Sequence, residues 1–232
     1  MASQEGAFEE VSLDGAVGRF YELLAASGGA GRRRAVLCVG GVGGGWDSPA
    51  AGLYPTLLGE LAVRGAARGL RVRFRFPTSV SECAADVLCG LNFLADKAVT
   101  DAALIGHSLG GAVVLAAAAA AAATPRLPTV RTVVTLATQL AGALAPAAQL
   151  PPATYLLAIH AADDAVLSPV CSERVVRAAE ALPASHKTLH ILPAGGHGLQ
   201  GGDAEAVVRA DVTAVLTKAL LDAPLTPPES HD

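Results

Sequence analysis

The stretch GHSLGG, residues 106–111, decides the fold: it fits G-x-S-x-G and stands between an apolar run and a long helix-forming run. Ala102, Ala103, Leu104 and Ile105 ahead of it read as a short buried strand. Ala112, Val113, Val114 and Leu115, followed by alanines through Ala123, read as a helix. When a strand passes into a helix over so short a turn, the central residue is forced outward, so the Ser108 hydroxyl stands above the carboxyl edge of a sheet. Gly106 and Gly110 leave space where a side chain would crowd the turn, and the Leu109 N–H, at the helix start, faces a developing negative charge. The competing assignment for Ser108 is an ordinary helix N-cap. The strand before it and the helix after it favour a nucleophile.

Outward from this turn the chain alternates strands and helices. Residues 8–13 and 16–24 flank Asp14-Gly15 and read as an opening antiparallel hairpin. Residues 27–34, rich in Gly and Arg, read as a surface loop before a strand at 35–39, which a glycine-rich loop at 40–45 follows. Residues 53–68 have helical spacing at Leu57, Leu58, Leu61 and Ala62, with Pro55 compatible only near the start. Residues 70–76 alternate Arg71, Arg73 and Arg75 with Val72, Phe74 and Phe76, the pattern of a strand with two unlike faces and, less simply, of an anion site. A helix over 79–99 starts from Ser79 or Ser81. Beyond the elbow, strands are expected at 130–137, 155–160 and 187–192, and helices at 171–182 and 203–221. The residues between 137 and 155 are too few for a folded lid.

This order predicts one α/β domain over residues 1–223, with a mostly parallel central sheet covered by helices on both faces and a tail at 224–232 without fixed structure. Of the 232 residues, 52% are apolar, ample for a core, and the net charge of −4 without a basic block argues against nucleic acid. No stretch reads as a membrane span or a secretory signal, and the four cysteines form no C-x-x-C pair. A reduced, cytoplasmic protein is expected.

In a parallel sheet the site lies at the carboxyl ends of the strands, so each candidate must follow a strand. Ser108 needs a base, and that base needs an acid to hold its tautomer. Among the histidines, His197 alone follows a strand in a flexible loop, Gly195-Gly196-His197-Gly198. Asp163 and Asp164 both come just after a strand. Asp164 is the preferred acid, and Asp163 is the alternative to it. The loop from Gly40 to Gly45 matches neither G-x-x-x-x-G-K-[ST] nor G-x-G-x-x-G. It reads instead as an oxyanion loop whose Val42 N–H meets that of Leu109 across a carbonyl oxygen. Trp46, Leu53 and Tyr54 are candidates for lining the substrate site, with plain packing as the competing role.

GHSLGG at 106–111, HAADDAVL at 160–167 and GGHGL at 195–199, in that order, resemble the α/β-hydrolase superfamily over nearly the whole chain. Residues 38–55, CVGGVGGGWDSPAAGLYP, further resemble its small dienelactone-hydrolase-like members. The resemblance implies the α/β-hydrolase fold without a lid domain, Ser108 as nucleophile, Asp164 as acid, His197 as base, and Val42 with Leu109 as oxyanion donors. The family's acid usually lies four residues after the strand-ending histidine, which favours Asp164. It implies a serine hydrolase cleaving a small acyl ester or thioester, needing no metal or organic cofactor. Two departures stand out. Many members carry His-Gly where this chain has Gly40-Gly41, and a dienelactone hydrolase proper uses cysteine where this chain has Ser108. The rival reading is a slow or inactive ligand receptor or interaction module on the same fold.

Overall fold

The computed structural model describes residues 7–24 and 29–224. Part of the expected loop at 27–34 and nearly all of the expected tail at 224–232 lie outside the described residues. The chain runs β1 (Glu9–Leu13), β2 (Ala16–Tyr21), α1 (Gly29–Arg32), β3 (Arg34–Val39), α2 (Pro49–Val63), β4 (Arg68–Arg73), α3 (Val80–Asp96) and β5 (Asp101–His107). It continues through α4 (Leu109–Ala122), β6 (Thr129–Leu136), α5 (Leu144–Ala148), β7 (Tyr155–Ala161), α6 (Val170–Ala178), β8 (Lys187–Leu192) and α7 (Ala204–Leu216).

The eight strands form one sheet in the order β1-β2-β4-β3-β5-β6-β7-β8. β2 alone runs against the others, pairing antiparallel with β1 and with β4. The β1–β2 turn is Asp14-Gly15, both with positive φ, as a two-residue hairpin with right-handed twist requires.

Strand side chains alternate between two cores. Ala35, Leu37 and Val39 of β3, with Ala102 and Leu104 of β5, face the layer of α3, α4, α5 and α6. Val36 and Cys38, with Ala103 and Ile105, face α2 and α7 on the other side. Both faces are therefore covered, which is why the central strands are continuously apolar rather than alternating. The alanines of α4 let that helix lie close against β5 and β6 while α3 and α5 flank it, and most of the helix is buried. Among the described residues no helix is long and apolar enough to cross a membrane.

Several expected elements shift, each for a local reason. α2 begins at Pro49, not Leu53, but Ala50, Ala51 and Gly52 have left-handed backbone, so regular helix starts near Leu53. Pro55 therefore falls in the first regular turn, where its missing N–H breaks no hydrogen bond. The helix stops at Val63 because Gly65 takes positive φ and Arg68 already belongs to β4. α3 is capped by Ser79, whose hydroxyl accepts the Glu82 N–H. α6 ends at Ala178, short of Leu182, and Lys187 Nζ donates to the carbonyl of Ala179 just beyond it.

β4 is the larger surprise. It lies between β2 and β3 with both faces covered, and so Arg68 and Arg71 are buried. Arg68 pairs with Glu22 at 2.7 Å, and Arg71 donates to the Trp46 carbonyl. Arg75, beyond the strand, pairs at 2.6 Å with the buried Asp86. Of the three arginines in the alternating pattern, Arg71 and Arg75 are thus held by internal partners, while Arg73 stays exposed beside the Trp46 ring.

Candidate active site

Ser108 sits between β5 and α4 with φ 57° and ψ −118°, a strained conformation for a residue with a Cβ. Such strain costs about 1–3 kcal/mol and persists only where the surroundings over-determine it. They do so here: the Ser108 N–H donates to the Leu136 carbonyl at 2.9 Å, and the Ser108 carbonyl accepts from Gly111 and Gln139. The elbow also requires bare backbone. A Cβ on Gly106 would stand 2.1 Å from the Gly110 carbonyl oxygen, and one on Gly110 would stand 2.3 Å from that of Gly40.

Around this hydroxyl the sheet order gathers loops far apart in sequence. His197, in the loop after β8, places Nε2 3.0 Å from Ser108 Oγ. Its Nδ1 lies 2.8 Å from Asp164 Oδ2, in the loop after β7. Asp164 Oδ1 accepts the N–H groups of Val166 and Leu167 at 2.8 and 2.9 Å. The Asp164 side chain is fully buried, whereas that of His197 is 22% exposed, so the carboxylate is shielded and the imidazole reachable. Burial alone would raise the Asp164 pKa. The hydrogen bonds from Leu167, His197 and Val166 outweigh it and hold the carboxyl below its ordinary 3.8.

Both aspartates have a partner. Asp163, the alternative acid, accepts the Gly196 N–H at 2.8 Å and so clamps the histidine loop rather than the ring. The loop is held at two further points. His107 Nε2 donates to the His197 carbonyl at 2.7 Å, and the Ala50 N–H donates to the Gly198 carbonyl at 2.8 Å. The rings of His107 and His197 pack at 4.8 Å. Burial pushes the His107 pKa below 6.5, against the pull of its carbonyl bond. A neutral ring with the proton on Nε2 suits that bond. His107 therefore braces the other histidine rather than standing apart from the site.

An open groove of about 320 Å³ leads to Ser108, bordered by Val42, Asp47, Ser48, His107, His197 and Gln200. Gly41 lies so close that a Cβ there would come 3.2 Å from Ser108 Cβ. Val42 borders the groove, and among the described residues its N–H has no backbone acceptor. Leu109, the first residue of α4, has no preceding turn to receive its N–H. A hydroxyl, an imidazole and a buried carboxylate in sequence can shift a proton away from the hydroxyl, and free N–H groups beside them can stabilise an oxyanion.

The three candidate lining residues do not border this groove. Leu53 and Tyr54 are buried in the core against α7, and the Tyr54 hydroxyl donates to the Val39 carbonyl at 3.0 Å, bracing the end of β3. Trp46 turns toward the hairpin side, its ring 4.3 Å from the Arg19 guanidinium and near Arg71 and Arg73. The groove is instead lined by small and polar residues: Asp47, Ser48 and Gln200 gave no periodic signal in the sequence.

A larger hollow, about 920 Å³, lies at the opposite edge among the loops that precede β5 and β6. It holds no nucleophile–base pair, and its charged groups include the internally paired Arg126 with Asp96 and Arg131 with Asp101. The cysteines are all unpaired, and burial pushes the thiols of Cys38 and Cys83 upward, the latter to about 11. Among the described residues no group of three or more His, Cys, Asp or Glu is placed to hold a metal ion.

No protein-family model and no curated protein matches the chain. Solved structures do. A dienelactone hydrolase from Anabaena variabilis is 17% identical with a TM-score of 0.73, over 94% of this chain and 100% of that one. MGS-M1, an alpha/beta hydrolase enzyme from a Medee basin deep-sea metagenome library, is 16% identical with a TM-score of 0.70, over 93% and 99%. Esterase 2 of Thermogutta terrifontis, phosphorylated by paraoxon, is 15% identical with a TM-score of 0.65, over 95% and 98%. With this strand order, these neighbours and a strained serine elbow at the end of β5, the chain has the α/β-hydrolase fold.

Proposed function

We propose that this protein is a serine hydrolase that cleaves an ester or thioester through an acyl-enzyme. The observation that carries the proposal is the continuous run from Ser108 Oγ to His197 at 3.0 Å and on to Asp164 at 2.8 Å. Ser108 Oγ attacks the acyl carbonyl as His197 Nε2 takes its proton, and Asp164 steadies the imidazolium that forms. The N–H groups of Val42 and Leu109 receive the oxyanion; such a donor is worth about 3–4 kcal/mol in the transition state. The leaving alkoxide or thiolate departs with the proton from His197. Water, deprotonated by the same imidazole, then attacks the acyl-enzyme, and the acid is released as Ser108 recovers its proton.

The groove is open and short, and among the described residues nothing folds over it, which suits a small acyl group. The esterase of similar fold that paraoxon phosphorylates supports organophosphorus reagents as probes here. The test is intact-mass labelling by a fluorophosphonate. One adduct on the wild type, absent from Ser108→Ala and strongly slowed in His197→Ala, is the expected result. A folded wild type that takes no adduct overturns the proposal and turns attention to a binding role for the same groove.

A further inference from the structure

Asp164 serves two histidines. His160, near the end of β7, is fully buried on the face that carries α5 and α6, a position where an unsatisfied imidazole would be costly. Both of its nitrogens are engaged. Nε2 lies 3.1 Å from Asp164 Oδ2 and 3.0 Å from the Leu167 carbonyl oxygen. Both are acceptors, so Nε2 carries the proton. Nδ1 lies 2.7 Å from the hydroxyl of Ser172 in α6, also fully buried, which donates to it. A second Ser–His–Asp chain thus meets the first at one carboxylate oxygen. Sealed from solvent, it has no access to a substrate.

Its geometry suggests another use. With the bonds from Val166, Leu167 and His197, the bond from His160 brings the donors on Asp164 to four, two on each oxygen. A carboxylate filled in this way cannot rotate without breaking bonds in a site that water does not reach. We infer that His160, with its tautomer set by Ser172, is a positioning residue of the reaction: it holds Asp164 Oδ2 at the angle from which it orients His197. The inference rests on the proposed hydrolase activity, in which Asp164 orients the base.

The experiment compares His160→Leu, His160→Gln and Ser172→Ala with the wild type by steady-state ester hydrolysis, rate of fluorophosphonate labelling and thermal midpoint. His160→Leu removes the donor. His160→Gln keeps an N–H near the position of Nε2. The expected result is a fall in kcat and labelling rate of about tenfold in His160→Leu at unchanged KM, the scale of one hydrogen bond to a charged group. Most of the rate returns in His160→Gln, and Ser172→Ala loses about threefold. The downfield proton resonance of the His197–Asp164 bond should shift in His160→Leu and return in His160→Gln. Wild-type kcat and labelling rate in folded His160→Leu, with only the thermal midpoint lowered, would overturn the inference and leave His160 a packing residue. If His160→Leu does not fold, Ser172→Ala decides: reduced kcat at unchanged KM supports the role, and wild-type kcat overturns it. A wild type that is never labelled overturns the hydrolase proposal and this one together, an outcome distinct from equal labelling of all variants.

Discussion

Replacing Asp164 with Asn exchanges one carboxylate oxygen for an amide NH₂ and keeps the shape. The N–H groups of Val166 and Leu167 point at Oδ1 from 2.8 and 2.9 Å, so the amide oxygen must take that side. The NH₂ then occupies the place of Oδ2, at which His197 and His160 both donate. Donors face a donor. His197 can escape by moving its proton to Nε2, but that nitrogen lies 3.0 Å from Ser108 Oγ and would no longer accept a proton. A triad histidine held in the wrong tautomer loses on the order of 10⁴-fold in kcat. At about 1.4 kcal/mol per decade this corresponds to roughly 5.5 kcal/mol of transition-state stabilisation. The second conflict, at His160, is milder, because its Nε2 proton keeps the Leu167 carbonyl at 3.0 Å as an acceptor. Asp163→Asn is the control, because an amide oxygen still accepts the Gly196 N–H that Asp163 holds at 2.8 Å. It is expected to stay within about threefold of wild type, the scale of a weakened surface bond. The assay is hydrolysis of an activated acetate ester, with circular dichroism showing that each variant is folded. A folded Asp164→Asn retaining a tenth or more of wild-type kcat would refute the reasoning, as would an equal loss in Asp163→Asn.

Gly41 lies outside the left-handed region, so Gly41→Ala should fold, but its methyl would sit 3.2 Å from Ser108 Cβ and 3.6 Å from Oγ. Steady-state kinetics should show about a tenfold lower kcat/KM with a stability change of about 1 kcal/mol; unchanged kcat/KM would mean that the substrate approaches from another side. His107 supplies a pH dependence: its folded pKa lies below 6.5, so the unfolded chain binds that proton more tightly. Its contribution to stability is therefore complete above about pH 6.5 and is lost as pH falls through the lowered folded value. His107→Gln, which keeps a donor toward the His197 carbonyl, should flatten denaturation midpoints below pH 6.5, and an unaltered pH profile would count against this assignment. Asp47 brings a carboxylate to the groove with no Lys or Arg among the described residues that border it. One charge at about 4 Å in water is worth about 1 kcal/mol, so Asp47→Asn should lower the preference for cationic over neutral esters about fivefold, more at low salt than at high. Equal ratios in both proteins would remove Asp47 from specificity.

What the sequence revealed and what it concealed divide along a physical line. The elbow was legible because a sharp strand-to-helix turn makes demands on consecutive residues: Gly106 and Gly110 stand where any Cβ would meet backbone within 2.3 Å. The sheet covered on both faces was legible because apolar runs between turn signals have few other uses. Position relative to a strand also sorted the histidines, since β5, β7 and β8 all end at the same edge and their loops carry Ser108, Asp164 and His197. Residue type misled where one chemistry serves two environments. Arg71 alternates like a surface residue, yet it lies on a central strand and reaches a carbonyl of the loop above it. Trp46 and Tyr54 have the bulk of pocket residues, yet one stacks under arginine and the other braces β3.

The supporting bonds were hidden for a different reason. His107 reaches the His197 carbonyl across 90 positions, and Asp163 reaches Gly196 across 33. Neither pairing leaves a periodic trace, because each is set by which strands become neighbours rather than by any local pattern. His160 is the intermediate case. Its spacing from Asp164 was visible, but its bond to Ser172, one helix further on, appears only when α6 packs on β7. A site of this kind therefore has two sources of precision. Ser108 is set by local backbone geometry, whereas His197 and Asp164 are set by a network that exists only once the sheet is assembled. Substitutions in the two parts should fail differently: a side chain at Gly106 or Gly110 threatens the fold itself, while one at His107, Asp163 or His160 can leave the fold standing and misalign the proton path.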